Sequence, residues 1–234
     1  MPINTRVALD AMGGDNAPLE IIKGAIEAVN LDDTIKVFLV GKEDVINNIL
    51  STMEYNKEQI EVVNATEEIT CDEAPVMAVR SKKNSSIVVA MKLVKDGKAD
   101  AFLSAGSTGA VLVGGQLIIG RIKGVKRPPL APLIPTQKGV SLLIDCGANV
   151  DVRADHLVQF AKMGSTYMEG IMGIKNPKVA IVNIGVEEEQ GNMLVKETYP
   201  LLKNCSDINF VGSIESRDIP KGDVDVIDVP RSEE

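Results

Sequence analysis

The sequence has three cysteines and one histidine, and no apolar run near the roughly 20 residues needed to span a bilayer. Cys71, Cys146 and Cys205 are odd in number and are not spaced like metal ligands, which excludes a disulfide framework and a structural zinc site and suits a reducing compartment. Positive charge is scarce: 25 Lys and Arg against 33 Asp and Glu give a net charge of -8. That balance argues against nonspecific nucleic-acid binding, which needs a positive field to neutralise backbone phosphates. The N-terminus shows no charged segment followed by an apolar one, so a cytoplasmic location is expected. Also missing are a Gly-x-Ser-x-Gly elbow for a serine nucleophile, a Gly-x-Gly-x-x-Gly dinucleotide turn and a carboxylate cluster for a divalent metal. Neither a metal nor a cofactor is expected.

What is present is a chain of 234 residues, 44% hydrophobic, long enough for one large or two small domains. Short β-rich runs alternate with longer stretches of helical period, which predicts an α/β fold with a mostly parallel sheet sandwiched by helices. Strands are predicted at 6–10, 36–40, 60–63, 101–104, 142–145, 179–183, 209–211 and 224–227. Several are continuous apolar runs, as in strands buried on both faces. Helices are predicted at 18–30, 44–52, 86–96, 108–121, 154–172 and 193–203, with Gly41, Gly97, Gly124, Gly173 and Gly212 as punctuation. The Pro-rich stretch from Arg127 to Pro135 reads either as a seam or as an irregular apolar crossover.

In an open parallel sheet, ligands bind beyond the carboxyl ends of the strands. The loop after the first strand, Asp10-Ala-Met-Gly-Gly-Asp-Asn-Ala-Pro18, lets the backbone approach a ligand closely and opens a helix whose first N–H groups face an anion. The alternative is an ordinary strand-to-helix turn. Glycine- and Asx-rich loops recur at Ala105-Gly-Ser-Thr-Gly109, Cys146-Gly-Ala-Asn-Val-Asp151 and Ile184-Gly185. Ser107 and Thr108 would form a second anion cradle or simply cap the next helix. Cys146 could carry an acyl group as a thioester or be inert packing. His156 could be a general base or make a structural bond in the first turn of its helix.

Five segments, Asp10-Ala-Met-Gly-Gly-Asp15, Arg80-Ser-Lys-Lys-Asn-Ser-Ser86, Ser104-Ala-Gly-Ser-Thr-Gly109, Gly120-Arg-Ile-Lys-Gly124 and Asp145-Cys-Gly-Ala-Asn-Val-Asp151, closely resemble the PlsX family of bacterial phosphate acyltransferases in order and spacing. The resemblance runs from about residue 6 to residue 227. It implies transfer of an acyl group from acyl carrier protein to inorganic phosphate, giving an acyl phosphate for phospholipid synthesis. It also implies a fold similar to the isocitrate and isopropylmalate dehydrogenases, a homodimer and, in full-length family members, peripheral association with a membrane.

The resemblance points to Lys82 and Asn84 as catalytic; in the loop at 145–151 a carboxylate beside phosphate would repel it, so Asp145 is expected to orient and Asn149 to be the direct, catalytic ligand. Gly13, Gly14, Asp15, Asn16, Ser85, Gly106, Ser107, Thr108, Gly109, Asp145 and Gly147 are expected around phosphate. Lys82, Lys83 and Asn84 also read as a solvated turn with a serine cap. Arg121, Lys123, Lys126 and Arg127 form a basic cluster in an acidic chain, either a docking surface for acyl carrier protein or a solubilising loop. Asn16 stands where the family has histidine, and Ser107 where it has asparagine. After Ile227 the family continues through an Asp-Gly-Phe-x-Gly-Asn loop, whereas this chain runs Asp228-Val-Pro-Arg-Ser-Glu-Glu234; the sequence therefore reads as one α/β domain over 1–227, cut short, with a polar tail. A noncatalytic remnant that binds phosphate or carrier protein, and a dehydrogenase of the related fold, are the other readings.

Overall fold

The computed structural model describes residues 3–149, 151–185 and 191–230. The chain divides into two units, Met1–Arg121 and Ile122–Glu234.

In the first unit, strands and helices alternate as β1 (Thr5–Asp10), α1 (Leu19–Leu31), β2 (Ile35–Gly41), α2 (Glu43–Leu50) and β3 (Ile60–Asn64). They continue as α3 (Pro75–Ser81), α4 (Ser86–Lys95), β4 (Ala101–Leu103) and α5 (Thr108–Gly114), which runs into a π-helical turn at Gly115–Ile119. The four strands are all parallel, in the order β3-β2-β1-β4. The strand period of two explains the apolar run Val37-Phe-Leu-Val40. Val37 and Leu39 pack with Ile22, Ile26 and Val29 of α1, while Phe38 and Val40 pack on the opposite face with Ala90 of α4.

The second unit comprises β5 (Leu133–Thr136), β6 (Gly139–Ile144), α6 (Ala154–Gly170), β7 (Lys178–Val182), α7 (Met193–Lys203), β8 (Asn209–Ile214) and β9 (Val226–Asp228), with a 3-10 turn at Ser216–Lys221. Its sheet order is β5-β6-β9-β7-β8, and β5 against β6 is the antiparallel pair. Leu142, Ile144, Ile181 and Val226 meet Leu157, Phe160 and Met168 of α6 and Leu202 of α7 on one face. Ala180, Ile214, Val224 and Ile227 form a smaller cluster on the other. The fold is therefore α/β with mostly parallel sheets flanked by helices, in two sheets.

Two elements depart from the sequence reading. The Pro-rich stretch holds β5, an edge strand, where Pro135 can sit opposite Val140 without breaking a central ladder. Helix α3 is too short to show a period in sequence, and it begins on Pro75, a residue suited to a first turn. Among the described residues no helix is long and apolar enough to cross a membrane.

Candidate functional site

Because β1 and β4 are parallel neighbours, their following loops emerge together at the carboxyl end of the sheet. Asp10, at the end of β1, is 1% exposed. Its Oδ1 accepts the Met12 N–H at 3.1 Å, and its Oδ2 accepts the Ser104 hydroxyl at 2.7 Å. The Ser104 oxygen in turn accepts the Gly106 N–H at 3.0 Å. The two glycine loops are thus tied through one carboxylate. Gly13 lies in the crook of this tie: a Cβ there would sit 2.4 Å from Asp10 Oδ2 and 2.9 Å from the Gly106 nitrogen. Gly14 has φ +114, open to glycine and strained for other residues. The amides of Gly13, Gly14, Thr108 and Gly109 have no acceptor among the described residues. Asp15 and Asn16 are exposed.

Ser107 is buried, and its Oγ accepts the Ala110 N–H at 3.3 Å, so it caps α5. Gly109 packs on Pro75 at the start of α3; a Cβ would approach the proline ring to 2.6 Å. Lys82 lies at the other end of α3. Its ammonium pairs with Glu73 at 2.6 Å and donates to the Glu68 carbonyl at 2.9 Å. That pairing pulls the Glu73 carboxyl below its usual range. Ser85 is fully buried and donates its hydroxyl to the Lys82 carbonyl at 2.9 Å instead of capping α4. The backbone N–H of exposed Asn84 reaches Glu67 Oε2 at 3.0 Å. Glu67 and Glu73 were not anticipated from sequence. Lys82 and Asn84 are therefore held together by acidic neighbours, and neither makes a hydrogen bond to the glycine loops.

In the second unit, Asp145 directly follows β6, opens the loop there and is 3% exposed. Its carboxylate accepts four hydrogen bonds: from the N–H groups of Leu130 (2.9 Å), Ala148 (3.2 Å) and Asn149 (3.0 Å), and from Asn149 Nδ2 (2.8 Å). Asn149 Nδ2 also donates to the Pro128 carbonyl at 3.0 Å. Both Nδ2 protons of Asn149 are spent, one on Asp145 and one on the Pro128 carbonyl, and an anion would find only its Oδ1, an acceptor. Asn149 was expected as a direct ligand; in this geometry it orients the loop, as Asp145 does. Gly147 is exposed at φ +90.

Burial, with the charge of Asp145, pushes the Cys146 thiol up, away from the thiolate a nucleophile requires. Burial likewise lowers His156, whose Nδ1 accepts the Arg153 N–H at 3.3 Å in a capping box. This is the structural bond allowed by its place in the helix. Asp228, on β9 between β6 and β7, is fully buried, and neither carboxyl oxygen has a hydrogen-bond partner. Burial first, and then Asp145, raise its pKa well above the ordinary carboxylate value.

Arg121, Lys123, Lys126 and Arg127 are all exposed. Lys126 is anchored to α6 by an ion pair with Asp155, and its N–H reaches Gln159 Oε1 at 3.0 Å.

Compared with known proteins, the chain matches the family described as fatty acid synthesis protein over residues 5–229. A phosphate acyltransferase of Clostridium perfringens is 50% identical over 222 residues, 95% of this chain and 66% of the relative. One of Clostridium beijerinckii is 52% identical over 95% of this chain and 67% of its own length. The chain thus spans 66% of the length of the first of these relatives, just under two thirds. Among solved structures, the EutD phosphotransacetylase from Staphylococcus aureus superposes with a TM-score of 0.67 at 18% identity, covering 97% of this chain and 78% of that one. A 4-hydroxythreonine-4-phosphate dehydrogenase from Burkholderia phymatum gives 0.54 at 13%, covering 96% of this chain and 79% of that one. These two likenesses concern the fold.

Proposed function

Since the chain belongs to the fatty acid synthesis protein family, we propose that it serves acyl transfer from the thioester of acyl carrier protein to inorganic phosphate. The observation that carries this reading is the pair of tied glycine loops, whose unpaired amides at Gly13, Gly14, Thr108 and Gly109 suit an oxyanion. Phosphate is already an anion at neutral pH, so the work of the site is to place it and to stabilise charge as it develops on the carbonyl oxygen. A phosphate oxygen attacks the thioester carbon. The tetrahedral oxyanion collapses with loss of the thiolate, which takes up the proton released by hydrogen phosphate.

Direct attack fits a Cys146 thiol held protonated by burial. Gly106 and Ser107 shape the second loop, and Asp15 and Asn16 close the rim of the first. Lys82 supplies a mobile positive charge once exchanged from Glu73, and Asn84 and Ser85 hold the turn that carries it. Asp145, Gly147 and Asn149 hold the loop after β6. Arg121, Lys123, Lys126 and Arg127 meet the acidic carrier protein. A homodimer and attachment to a membrane surface rest on the family resemblance alone.

The test is incubation of the chain with acyl carrier protein thioester and phosphate, trapping acyl phosphate with hydroxylamine. Phosphate-dependent hydroxamate supports the reading. Phosphate binding without product supports the noncatalytic reading, and absence of both from this chain and its full-length relatives refutes acyl transfer.

A further inference from the structure

Asp10 and Ser104 stand 94 residues apart in sequence and meet at 2.7 Å at the ends of β1 and β4. Asp10 is almost wholly buried, yet it belongs to none of the apolar clusters and makes no ion pair among the described residues. Every hydrogen bond recorded for its carboxylate is spent on the two glycine loops. Oδ1 takes the Met12 amide, and Oδ2 takes the Ser104 hydroxyl, which frees the serine oxygen to receive the Gly106 amide. Gly13 fills the remaining space so closely that a methyl group would collide with both Asp10 and Gly106. A carboxylate beneath an anion-binding loop is electrostatically unfavourable unless donors screen it and it performs a geometric task.

From this arrangement we propose that Asp10 and Ser104 are positioning residues for phosphate. They consume the amides of Met12 and Gly106, so that those of Gly13 and Gly14 on one loop and of Thr108 and Gly109 on the other remain to bind the oxyanion at fixed spacing. The proposal rests on the phosphate reading of these loops and adds to it the device that holds them. Geometry, not the negative charge of Asp10, is the essential part. An asparagine at position 10 keeps an oxygen for Met12 and offers an N–H to the serine oxygen, which still accepts from Gly106.

The experiment is titration of the intact chain with inorganic phosphate by calorimetry, together with amide hydrogen exchange by NMR. In the parent protein the Gly106 amide is expected to exchange slowly without phosphate, whereas Gly13 and Gly14 slow only when phosphate is added. Ser104→Ala is expected to weaken phosphate tenfold or more, and Asp10→Asn to stay within about threefold of the parent. Equal phosphate affinity in folded Ser104→Ala overturns the proposal, as does fast Gly106 exchange in the parent, which requires no variant to fold. Loss of binding in Asp10→Asn as severe as in Ser104→Ala would show that charge matters and overturns the geometric role. A protected Gly106 in a parent chain that binds no phosphate refutes the phosphate reading itself, leaving a clamp with no ligand to position.

Discussion

At the scale of single residues, Asp228 is the least satisfied side chain among those described, a carboxyl sealed between β6 and β7 with no donor or acceptor. Its register partners Ile144 and Ile181 are apolar. Asp228→Val removes the unmet polar group and is expected to stabilise the fold by about 1–3 kcal/mol at pH 7, read from urea denaturation. Because folding raises the Asp228 pKa, its contribution is fully present below the unfolded carboxyl value of about 3.9. It is lost as pH rises to and through the folded value. The advantage of the valine variant should therefore grow with pH; parallel stability curves for variant and parent from pH 4 to 8 would count against a pKa raised by burial. Gly13→Ala acts in the opposite direction. Its methyl has nowhere to go between Asp10 and Gly106, so a loss of about 1–3 kcal/mol is expected, together with loss of phosphate binding in the same titration.

Among the elements, the same substitution should have opposite signs on two helices. Gly24 lies on the exposed side of α1, and a Cβ there meets nothing within 4 Å, so Gly24→Ala should gain about 0.5–1 kcal/mol from helix propensity. Gly164 of α6 faces β9, where a Cβ would lie 2.6 Å from Val226 Cγ1. Gly164→Ala must push α6 from the sheet, and overpacking of about 1–3 kcal/mol should exceed the propensity gain. Thermal midpoints of the two variants, moving apart from the parent, are the check; a rise for both would mean that α6 yields freely. Sequence period reveals α1 and α6 as helices because the apolar stripe is a local pattern. It does not distinguish the two glycines, since only the approach of a strand 62 residues later makes one of them a packing surface. Strand β5 was hidden for a related reason: proline is excluded from central strands, and whether a strand is an edge is a property of the sheet.

For the whole molecule, acidity governs the pH response. Asp32, Glu73, Asp100, Asp155, Asp207 and Asp223 all titrate below their usual range, each chiefly through a side-chain hydrogen bond. For Asp100 the partner is Arg6, which brings it to about 2. Groups lowered on folding contribute stability above their unfolded pKa and lose it as pH falls through the folded one. The urea midpoint is therefore expected to drop from about pH 4 down to pH 2, and Arg6→Ala should remove part of that slope. A flat midpoint across this range would contradict the pairing. All six groups are solvent-accessible, so added salt should shrink the effect.

The sequence by itself determined the alternation of strands and helices, the parallel sheets that follow from it, the glycine loops at the strand ends and the family. These depend on neighbours along the chain: apolar period, turn residues, and motifs read in order. Tertiary structure alone decided that Asp10 clamps Gly106 through Ser104, that Lys82 is held by Glu73, that Asn149 spends its side-chain amide on Asp145 and the Pro128 carbonyl and that Asp228 is buried without a partner. The physical reason is the range of the forces involved. Backbone preference and hydrophobic period act over a few residues, whereas hydrogen bonding and desolvation depend on which atoms folding brings within about 3 Å, however far apart they lie in the chain.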